Sequence, residues 1–490
     1  MPRRLVLVLA ALILVGARPD PPEIFDGSGS WTQFDGGVGG KKPRSVITQQ
    51  NVKQLDVAWQ AGLPEPADGA PVYISGVDTR RGTLNLLVVN TMAGRLVAIN
   101  ANNGVRVWQT TPPEGPRWTT ASPAVDPTHA YVFGYSLDGY VHRYELATGQ
   151  EAIGSGFPAL ITLKGDVEKG SSNITIATAR NHRTYLYMTI AGYPDPGDDG
   201  DYQGHLVTID IDSGEQHVFN ALCSDADTHF TLGDCYAQQA GIWARAGAVY
   251  DPALDRVFVT TGNGPFTALD GGHEWGSSVV ALRPDGTTDH GAPLDSYTPE
   301  NFQQITDEDL DLSSTTIEPL PSLNKNWPRL GVQSGKDGRL RLLNLQNLST
   351  AGRPAHIGGE LQIIDLPQGG EVLTQPQAWL DSKRTWLFVA NNRGTAAFEL
   401  IADDDGDPLI VLRWKSDLGG TTPVVINRVL YLAAPHRFTA MRATTGAVLW
   451  QDTTIGDIHW QSPIIVSNMV YLADNPGFIT AYSLSTTPRL

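Results

Sequence analysis

A short phrase recurs along this chain with different residues in it. Each copy has a glycine, then a strand-like run with alternating apolar residues, then a polar turn that ends in glycine. The clearest copies occupy 94–104, 139–149 and 204–214. Weaker copies begin at Ser277, Gly338, Gly394, Arg437 and Gly477. About eight units at intervals of roughly 40 to 75 residues are typical of the blades of a propeller.

The repeats predict an all-β fold, an eight-bladed β-propeller. A single unit of about four strands cannot bury both of its faces, whereas a closed ring packs each sheet against the next. Residues 53–490 are therefore predicted to form one propeller domain. The strand at 55–60 precedes the first complete unit and resembles the outer strands that end at Trp108 and Trp450. We expect it to pair with the last strand, near 477–484, and so to close the ring.

The first residues have the pattern of a targeting segment. Arg3 and Arg4 precede an apolar run too short to cross a bilayer, and small residues at 15–17 offer a cleavage site. We predict a signal peptide at 1–17, an N-terminal extension at 18–52, and a periplasmic or secreted protein. The 35 basic and 52 acidic residues give a net charge of −17, which disfavours nucleic acid as a partner. We expect a soluble monomer without membrane insertion.

The chain has two cysteines, Cys223 and Cys235, in one predicted loop. In an oxidising compartment a disulfide between them would stabilise the fold by about 3 kcal/mol in the chain-entropy model. A redox role is the alternative. Because two cysteines in this arrangement leave no Cys-x-x-Cys-His motif, the chain carries no covalently attached haem. If the protein oxidises a substrate, the electrons must therefore leave to an external acceptor.

The repeat units resemble the eight-bladed propellers of the pyrroloquinoline quinone-dependent dehydrogenases, including the polyvinyl-alcohol dehydrogenase branch, and so do the stretches 243–252 and 257–264. The resemblance covers most of the chain after residue 17. It implies a quinoprotein-type propeller in which a quinone lies in the central funnel and calcium polarises its reactive carbonyl. The same propeller also serves in the non-catalytic assembly lipoproteins of the bacterial outer membrane. The resemblance is therefore more informative about fold than about activity.

The resemblance implies a metal ligand and a general base. Asn263 matches the asparagine that holds calcium, although a turn asparagine beside two glycines is the alternative. Asp309 and Asp311 match the acidic motif that supplies the base, with Asp311 the better match. A solvated acidic loop is the alternative for both. They lie in the irregular segment at 284–330, a long loop of the kind that is usually functional or disordered.

The resemblance also implies residues that bind the quinone. Lys336 occupies the place of the basic residue that contacts the quinone oxygens. Trp243 is near the tryptophan that lies under the quinone, but counting back from Asp251 places Arg245 in that register. A tryptophan packed between blades is the alternative for Trp243.

Two departures from the family pattern are visible. No pair of adjacent cysteines exists, and the glutamate that usually completes the calcium site is missing before Gly204. A substitute carboxylate could come from Asp199 or from its neighbours Asp195, Asp198 and Asp201, although an acidic turn is more often solvated.

The sequence thus predicts a quinone- and calcium-dependent oxidoreductase for an alcohol, a sugar or a polymer. The alternative is a non-catalytic scaffold that binds protein or polysaccharide on a loop face.

Overall fold

The propeller predicted from the repeats is present. A computed structural model describes residues 29–37, 42–113, 115, 117–193, 201–349, 356–382 and 384–485. The strands form eight antiparallel sheets, seven of four strands and one of five. This confirms the all-β, eight-bladed prediction. The predicted signal peptide at 1–17 lies outside the described residues.

The first four blades follow one another along the chain, with the inner strand of each named first. Blade 1 contains β2 (Val72–Thr79), β3 (Gly82–Asn90), β4 (Leu96–Asn100) and β5 (Arg106–Gln109). Blade 2 contains β6 (Ala124–Val125), β7 (Tyr131–Tyr135), β8 (Tyr140–Glu145) and β9 (Ala159–Leu160). Blade 3 contains β10 (Glu168–Gly170), β11 (Thr175–Thr178), β12 (Thr184–Gly192), β13 (His205–Asp210) and β14 (Gln216–Asn220). Blade 4 contains β15 (Val249–Asp251), β16 (Arg256–Thr260), β17 (Val279–Leu282) and β18 (Asp295–Tyr297).

The last four blades continue the same pattern. Blade 5 contains β19 (Glu318–Leu320), β20 (Leu330–Ser334), β21 (Arg339–Asn344) and β22 (Gln362–Asp365). Blade 6 contains β23 (Gln377–Asp381), β24 (Arg384–Asn391), β25 (Gly394–Ala402) and β26 (Pro408–Ser416). Blade 7 contains β27 (Val424–Ile426), β28 (Val429–Ala434), β29 (Arg437–Arg442) and β30 (Val448–Asp452). Blade 8 contains β31 (Ile464–Val466), β32 (Met469–Ala473), β33 (Phe478–Leu484) and, from the other end of the chain, β1 (Leu55–Gly62).

The ring closes through β1, which is the pairing that the sequence predicts. Its register with β33 places Leu55 opposite Leu484 and Gly62 opposite Phe478, with a bulge between Val57 and Trp59. The edge of blade 8 is therefore paired within the chain and is not left open to other chains. A large cluster of buried residues joins blade 8 to blades 7 and 1.

Tryptophans in four outer strands lock neighbouring blades together. The Trp108 indole N–H donates to the Leu146 carbonyl at 2.9 Å, across to the next blade. Its ring packs on Gly149, which has a φ of 72° and where an added Cβ would lie 2.6 Å from the ring. Only glycine combines this left-handed backbone with so close an approach. The other tryptophans that donate in the same way are Trp59, Trp414 and Trp450.

Helices are few and short in the described part of the chain. One α-helix, α1 (Phe302–Asp307), lies between β18 and β19. Short 3₁₀ turns occupy Phe34–Gly36, Val52–Gln54, Ala268–Asp270 and Leu312–Ser314. The irregular segment that the sequence places between the fourth and fifth repeats therefore carries α1 and the turn that follows it.

Candidate functional site

Four loops of blades 4 and 5 meet at one end of the propeller channel. In an antiparallel blade, the loop that enters the inner strand and the loop that joins the second and third strands lie at the same end. Trp243 precedes the inner strand β15, and the 309–311 run precedes the inner strand β19. Asn263 lies in the loop that joins β16 to β17, and Lys336 lies in the loop that joins β20 to β21. We call this the loop end.

Asp311 is the central residue of this group. Its Oδ1 accepts the backbone N–H of Asn263 at 2.9 Å, and its Oδ2 lies 3.0 Å from the Lys336 Nζ. Its own carbonyl accepts the backbone N–H of Lys336 at 3.0 Å. Burial raises the pKa of the Asp311 carboxyl above its usual value, while Lys336 opposes the shift. A carboxylate with a raised pKa that is held by two neighbouring loops has the properties of a general base.

Asp309 bridges the other two polar residues. Its Oδ1 accepts the Asn263 Nδ2–H at 2.9 Å, and its Oδ2 lies 3.1 Å from the Lys336 Nζ. The Asp309 side chain is 79% exposed, whereas that of Asp311 is 15% exposed. The Asn263 Oδ1 is buried and has no hydrogen-bond partner among the described residues. Because buried polar atoms are nearly always satisfied, this oxygen is available to a ligand.

Lys336 is charged and faces an aromatic ring. Although burial opposes the charged form, the carboxylates of Asp311 and Asp309 raise the pKa of the lysine above its usual value. Its Nζ lies 5.6 Å from the centroid of the Trp243 ring, within cation–π range. The structure therefore brings together Trp243, Asn263, Asp309, Asp311 and Lys336.

Arg245 contacts a different set of residues. Its guanidinium donates to the Thr120 Oγ1 at 2.9 Å, to the Thr120 carbonyl at 2.6 Å and to the Ser171 carbonyl. It also lies over the Trp460 ring, 5.5 Å from the centroid. Burial lowers its pKa to about 10. The family pattern leaves open whether Trp243 or Arg245 occupies the position under the quinone. In the structure, Trp243 lies beside Lys336, whereas Arg245 is held by neutral acceptors of blades 2 and 3.

Two glycines allow Asp311 to approach the neighbouring loops. A Cβ at Gly262 would lie 2.6 Å from the Asp311 Oδ1 and 2.8 Å from the Ser313 Oγ. A Cβ at Gly335 would lie 3.0 Å from the Asp311 carbonyl oxygen. A side chain at Gly262 or Gly335 would therefore collide with the Asp311 segment, which adds a steric reason for glycine before Asn263 and before Lys336 to its preference for turns.

The disulfide loop supports this end from outside. Cys223 and Cys235 are bonded, with their Cα atoms 6.1 Å apart, so the predicted pairing is present. Farther along the same loop, the Ala240 N–H donates to the Asn263 carbonyl at 2.7 Å. The disulfide therefore restrains the segment that holds the Asn263 backbone.

The carboxylate that should complete a metal site is not among these residues. Asp199, like Asp195 and Asp198, lies outside the described residues. Asp201 accepts hydrogen bonds from the Gln203 side chain and from the Gly233 N–H, so it is engaged with the disulfide loop. Across the described part of the chain, no group of three or more His, Cys, Asp or Glu side chains could hold a metal ion.

Tyr202 lines the same end and was missed from the sequence. A Cβ at Gly192 would lie 2.6 Å from its ring, so the ring packs directly on that glycine. Burial, then the negative charges of Asp311 and Asp309, raise the pKa of the Tyr202 hydroxyl above its usual value. No motif points to this tyrosine, because it belongs to an acidic stretch that is read most simply as a surface turn.

The comparisons with known proteins agree with this architecture. Residues 31–288 match the family model described as "PQQ: Glucose/ethanol/alcohol dehydrogenase, beta-propeller domain". No curated protein matches the chain. No helix among the described residues is long and apolar enough to span a membrane.

Several solved structures share the fold at low sequence identity. A quinohemoprotein alcohol dehydrogenase from Pseudomonas putida HK5 has a TM-score of 0.63 at 14% identity, over 94% of this chain and 81% of that one. A europium-containing methanol dehydrogenase has a TM-score of 0.66 at 14% identity, over 93% and 98%. BamB from Moraxella catarrhalis has a TM-score of 0.50 at 12% identity, over 88% and 99%. Because the family model covers more than half of its length, the chain belongs to the PQQ-type β-propeller family of glucose, ethanol and alcohol dehydrogenases.

Proposed function

We propose that this protein is an exported oxidoreductase that oxidises an alcohol, a sugar or a hydroxylated polymer with a bound pyrroloquinoline quinone and calcium. The observation that carries the proposal is the convergence of Trp243, Asn263, Asp311 and Lys336 at the loop end of a propeller of this family. The disulfide fits an oxidising compartment.

The residues present fit such a ligand at several points. The buried Asn263 Oδ1 has no partner among the described residues, and an amide oxygen is a ligand that calcium accepts. The Asp311 carboxylate accepts the Asn263 backbone N–H and is held next to that residue. Lys336 would hold the quinone through its oxygens, together with the neighbouring Trp243 ring. Arg245 offers a buried cation for an acidic substituent, since only neutral acceptors hold its guanidinium.

Each side chain would then have a separate role. When bound, the quinone would supply the acceptor for two electrons and for the hydrogen of the alcohol carbon, and calcium would supply a Lewis acid. The Asp311 carboxylate would receive the hydroxyl proton, and it is held for this role by the Asn263 N–H at Oδ1 and by Lys336 at Oδ2. Lys336 would keep that carboxylate ionised before the reaction. Electrons would leave to an external acceptor, because the sequence has no attachment motif for haem.

A non-catalytic scaffold is the second candidate. It is favoured by the absence, among the described residues, of a third carboxylate beside Asn263 and Asp311. A scaffold would bind a protein or a polysaccharide at the loop end without quinone.

Reconstitution separates the two candidates. Purified full-length protein is incubated with quinone and calcium and assayed with an artificial electron acceptor against a panel of alcohols, sugars and polyvinyl alcohol. We expect substrate-dependent reduction of the acceptor that requires both quinone and calcium. Quinone binding without turnover on any substrate would contradict the enzyme, and failure to bind quinone would support the scaffold.

A further inference from the structure

An aspartate–histidine pair lies at the loop end, in blades 1 and 8. Asp68 belongs to the loop that enters β2, the inner strand of blade 1, and His459 belongs to the loop that enters β31, the inner strand of blade 8. The geometry that places Asp311 at the loop end places both of these loops there. The Asp68 Oδ2 lies 2.8 Å from the His459 Nδ1, and the Asp68 Oδ1 accepts the Trp460 N–H at 3.2 Å. Both oxygens of this carboxylate thus contact adjacent residues of blade 8.

A buried glutamine holds the backbone on both sides of the pair. Gln461 is 0% exposed, and its Oε1 accepts the His459 N–H at 2.8 Å. Its Nε2 donates to the Ala67 carbonyl at 3.0 Å and to the Asn475 Oδ1 at 2.7 Å. The residues next to Asp68 and His459 are therefore fixed by one side chain, and the pair is a built part of the loop end.

The pair lies at the mouth of the channel. Clusters of buried residues join each blade to the next in chain order and join blade 8 to blade 1, so blades 4 and 8 are on opposite sides of the ring. The guanidinium of Arg245, from the loop that enters blade 4, nevertheless lies 5.5 Å from the centroid of the Trp460 ring. A contact between opposite blades must cross the channel. The His459 ring is 4.5 Å from that of Trp460, centroid to centroid, and so is also at the mouth.

The histidine presents one ring nitrogen outward. The Asp68 side chain is 3% exposed, whereas that of His459 is 54% exposed. An ionised carboxylate only accepts hydrogen bonds, so it holds the proton of the neutral imidazole on Nδ1 and leaves the lone pair on Nε2. The His459 Nε2 has no hydrogen-bond partner among the described residues. It is therefore an acceptor of fixed direction that a hydroxyl group of a ligand can reach.

We propose that His459, oriented by Asp68, is a substrate-binding residue whose Nε2 accepts a hydrogen bond from a second hydroxyl group of the substrate. The inference rests on the proposed function, in which Asp311 receives the proton of the reacting hydroxyl. Because the loops of Asp311 and His459 enter blades 5 and 8, the two side chains serve different hydroxyl groups of one molecule. The pair thus selects a polyol, a sugar or a hydroxylated polymer over a monohydric alcohol.

Two variants test the pair in different ways. In Asp68→Asn, the new amide keeps an oxygen for the Trp460 N–H but donates to the His459 Nδ1, which moves the imidazole proton to Nε2. The histidine then donates where it should accept. His459→Phe removes both ring nitrogens and keeps a ring beside Trp460. Asp227→Asn is the matched control, because Asp227 makes the same kind of pair with His217 on the outer strand β14, at 2.7 Å.

Nitrogen NMR of the full chain labelled at histidine reads the tautomer without any cofactor. Spectra are recorded at about pH 8, at which free imidazole is neutral. The His459 signals are those that disappear in His459→Phe. We expect the Nδ1–H tautomer in the parent and in Asp227→Asn, and the Nε2–H tautomer in Asp68→Asn. An Nε2–H tautomer in the parent would overturn the proposal.

Titration with hydroxylated ligands then tests the binding itself. Glycerol, glucose and ethanol are added at equal hydroxyl concentration, with and without quinone and calcium. We expect glycerol and glucose to shift the His459 Nε2 signal saturably, with affinity roughly five- to tenfold lower in Asp68→Asn, and ethanol to cause no saturable shift. No saturable shift by glycerol or glucose under either condition, or an equal shift by ethanol, would overturn the proposal. Because the signal needs neither quinone nor turnover, this result is separate from failure of the proposed function.

Kinetics of the reconstituted enzyme separate binding from catalysis. In Asp68→Asn and His459→Phe, we expect KM for glycerol and glucose to rise roughly five- to tenfold while kcat stays within a few-fold of the parent. KM for ethanol should not change in either variant, and Asp227→Asn should match the parent on every substrate. A rise of KM for ethanol as large as that for glycerol, or a fall of kcat at constant KM, would overturn the role in recognition.

Discussion

Two clusters of the propeller use the same residue types in different surroundings. At the loop end, Lys336 lies between Asp309 and Asp311, whose side chains are 79% and 15% exposed. In the second cluster, Lys42 of the segment before β1 pairs with Asp35, which is 6% exposed, and both act electrostatically on Glu318 of β19, which is 0% exposed. The Asn263 amide oxygen at the loop end and the Glu318 Oε2 in the second cluster are buried without a hydrogen-bond partner among the described residues.

The difference indicates separate tasks. At the loop end, the lysine makes one contact with each carboxylate, and a neutral acceptor is left for a ligand. In the second cluster, the lysine pairs with Asp35, and burial raises the pKa of both Asp35 and Glu318. A lysine beside two carboxyl groups therefore does not by itself identify the kind of site. Burial and the identity of the unpartnered atom determine what the cluster does.

The largest effect is expected from Asp311→Asn. The substitution keeps the shape of the side chain but removes the base, so the turnover of reconstituted enzyme should fall by roughly 10²–10⁴-fold. Steady-state kinetics with saturating quinone and calcium measure this. Asp309→Asn is the matched control, since the exposed carboxyl of Asp309 should matter far less. Equal losses in the two variants would remove the distinction between them, and full activity in Asp311→Asn would exclude it as the base.

The second effect is on stability and concerns Glu318. Because the folded-state pKa of Glu318 is raised above its unfolded value, its contribution is complete below about pH 4.5 and is lost as pH rises to about 8. The folding equilibrium constant should fall by up to roughly tenfold per pH unit in this window. Urea denaturation from pH 5 to pH 8 measures it, with Glu318→Gln as the reference. Parallel pH profiles for the two proteins would contradict the assignment.

The third effect concerns the support of the loop end. Replacing Cys223 and Cys235 together by alanine should lower the free energy of unfolding by about 3 kcal/mol. Because the Ala240 N–H holds the Asn263 carbonyl, quinone affinity should also fall. Denaturant melts and quinone titrations of the double variant measure the two effects. Unchanged stability would show that the loop is held without the disulfide.

The smallest effect is on stability and concerns the packing between blades, outside both clusters. Trp108→Phe removes the indole N–H that donates to the Leu146 carbonyl between blades 1 and 2. We expect a loss of about 1 kcal/mol from the hydrogen bond, plus a smaller packing term. Quinone binding should not change. A change would mean that blade packing is coupled to the loop end.

The sequence predicts the fold and the loop end well, because both rest on local patterns. The glycine-bounded repeat identifies each blade, and the Thr-Gly-Asn-Gly, Asp-x-Asp and Gly-Lys motifs place Asn263, Asp311 and Lys336 in loops of adjacent blades. Ring geometry then brings those loops together. Asp199 stays a prediction.

The second cluster could not be predicted in the same way. Glu318 is far in the sequence from Asp35 and Lys42, and none of the three belongs to a motif. Their proximity depends on how the segment before β1 meets the finished ring. Tyr202 was missed for a related reason, since its packing on Gly192 depends on the fold of blade 3.

Direct binding of pyrroloquinoline quinone tests the central claim, that the loop end is a quinone site. Purified protein is titrated with quinone in the presence of calcium by calorimetry, and thermal unfolding is followed in parallel. We expect saturable one-to-one binding that is weakened at least tenfold in Lys336→Ala and in Asn263→Ala but not in Glu318→Gln. At a hundred times its dissociation constant, the quinone should stabilise the parent by about 2.7 kcal/mol. Absence of binding, or binding that both loop-end variants retain in full, would contradict the account.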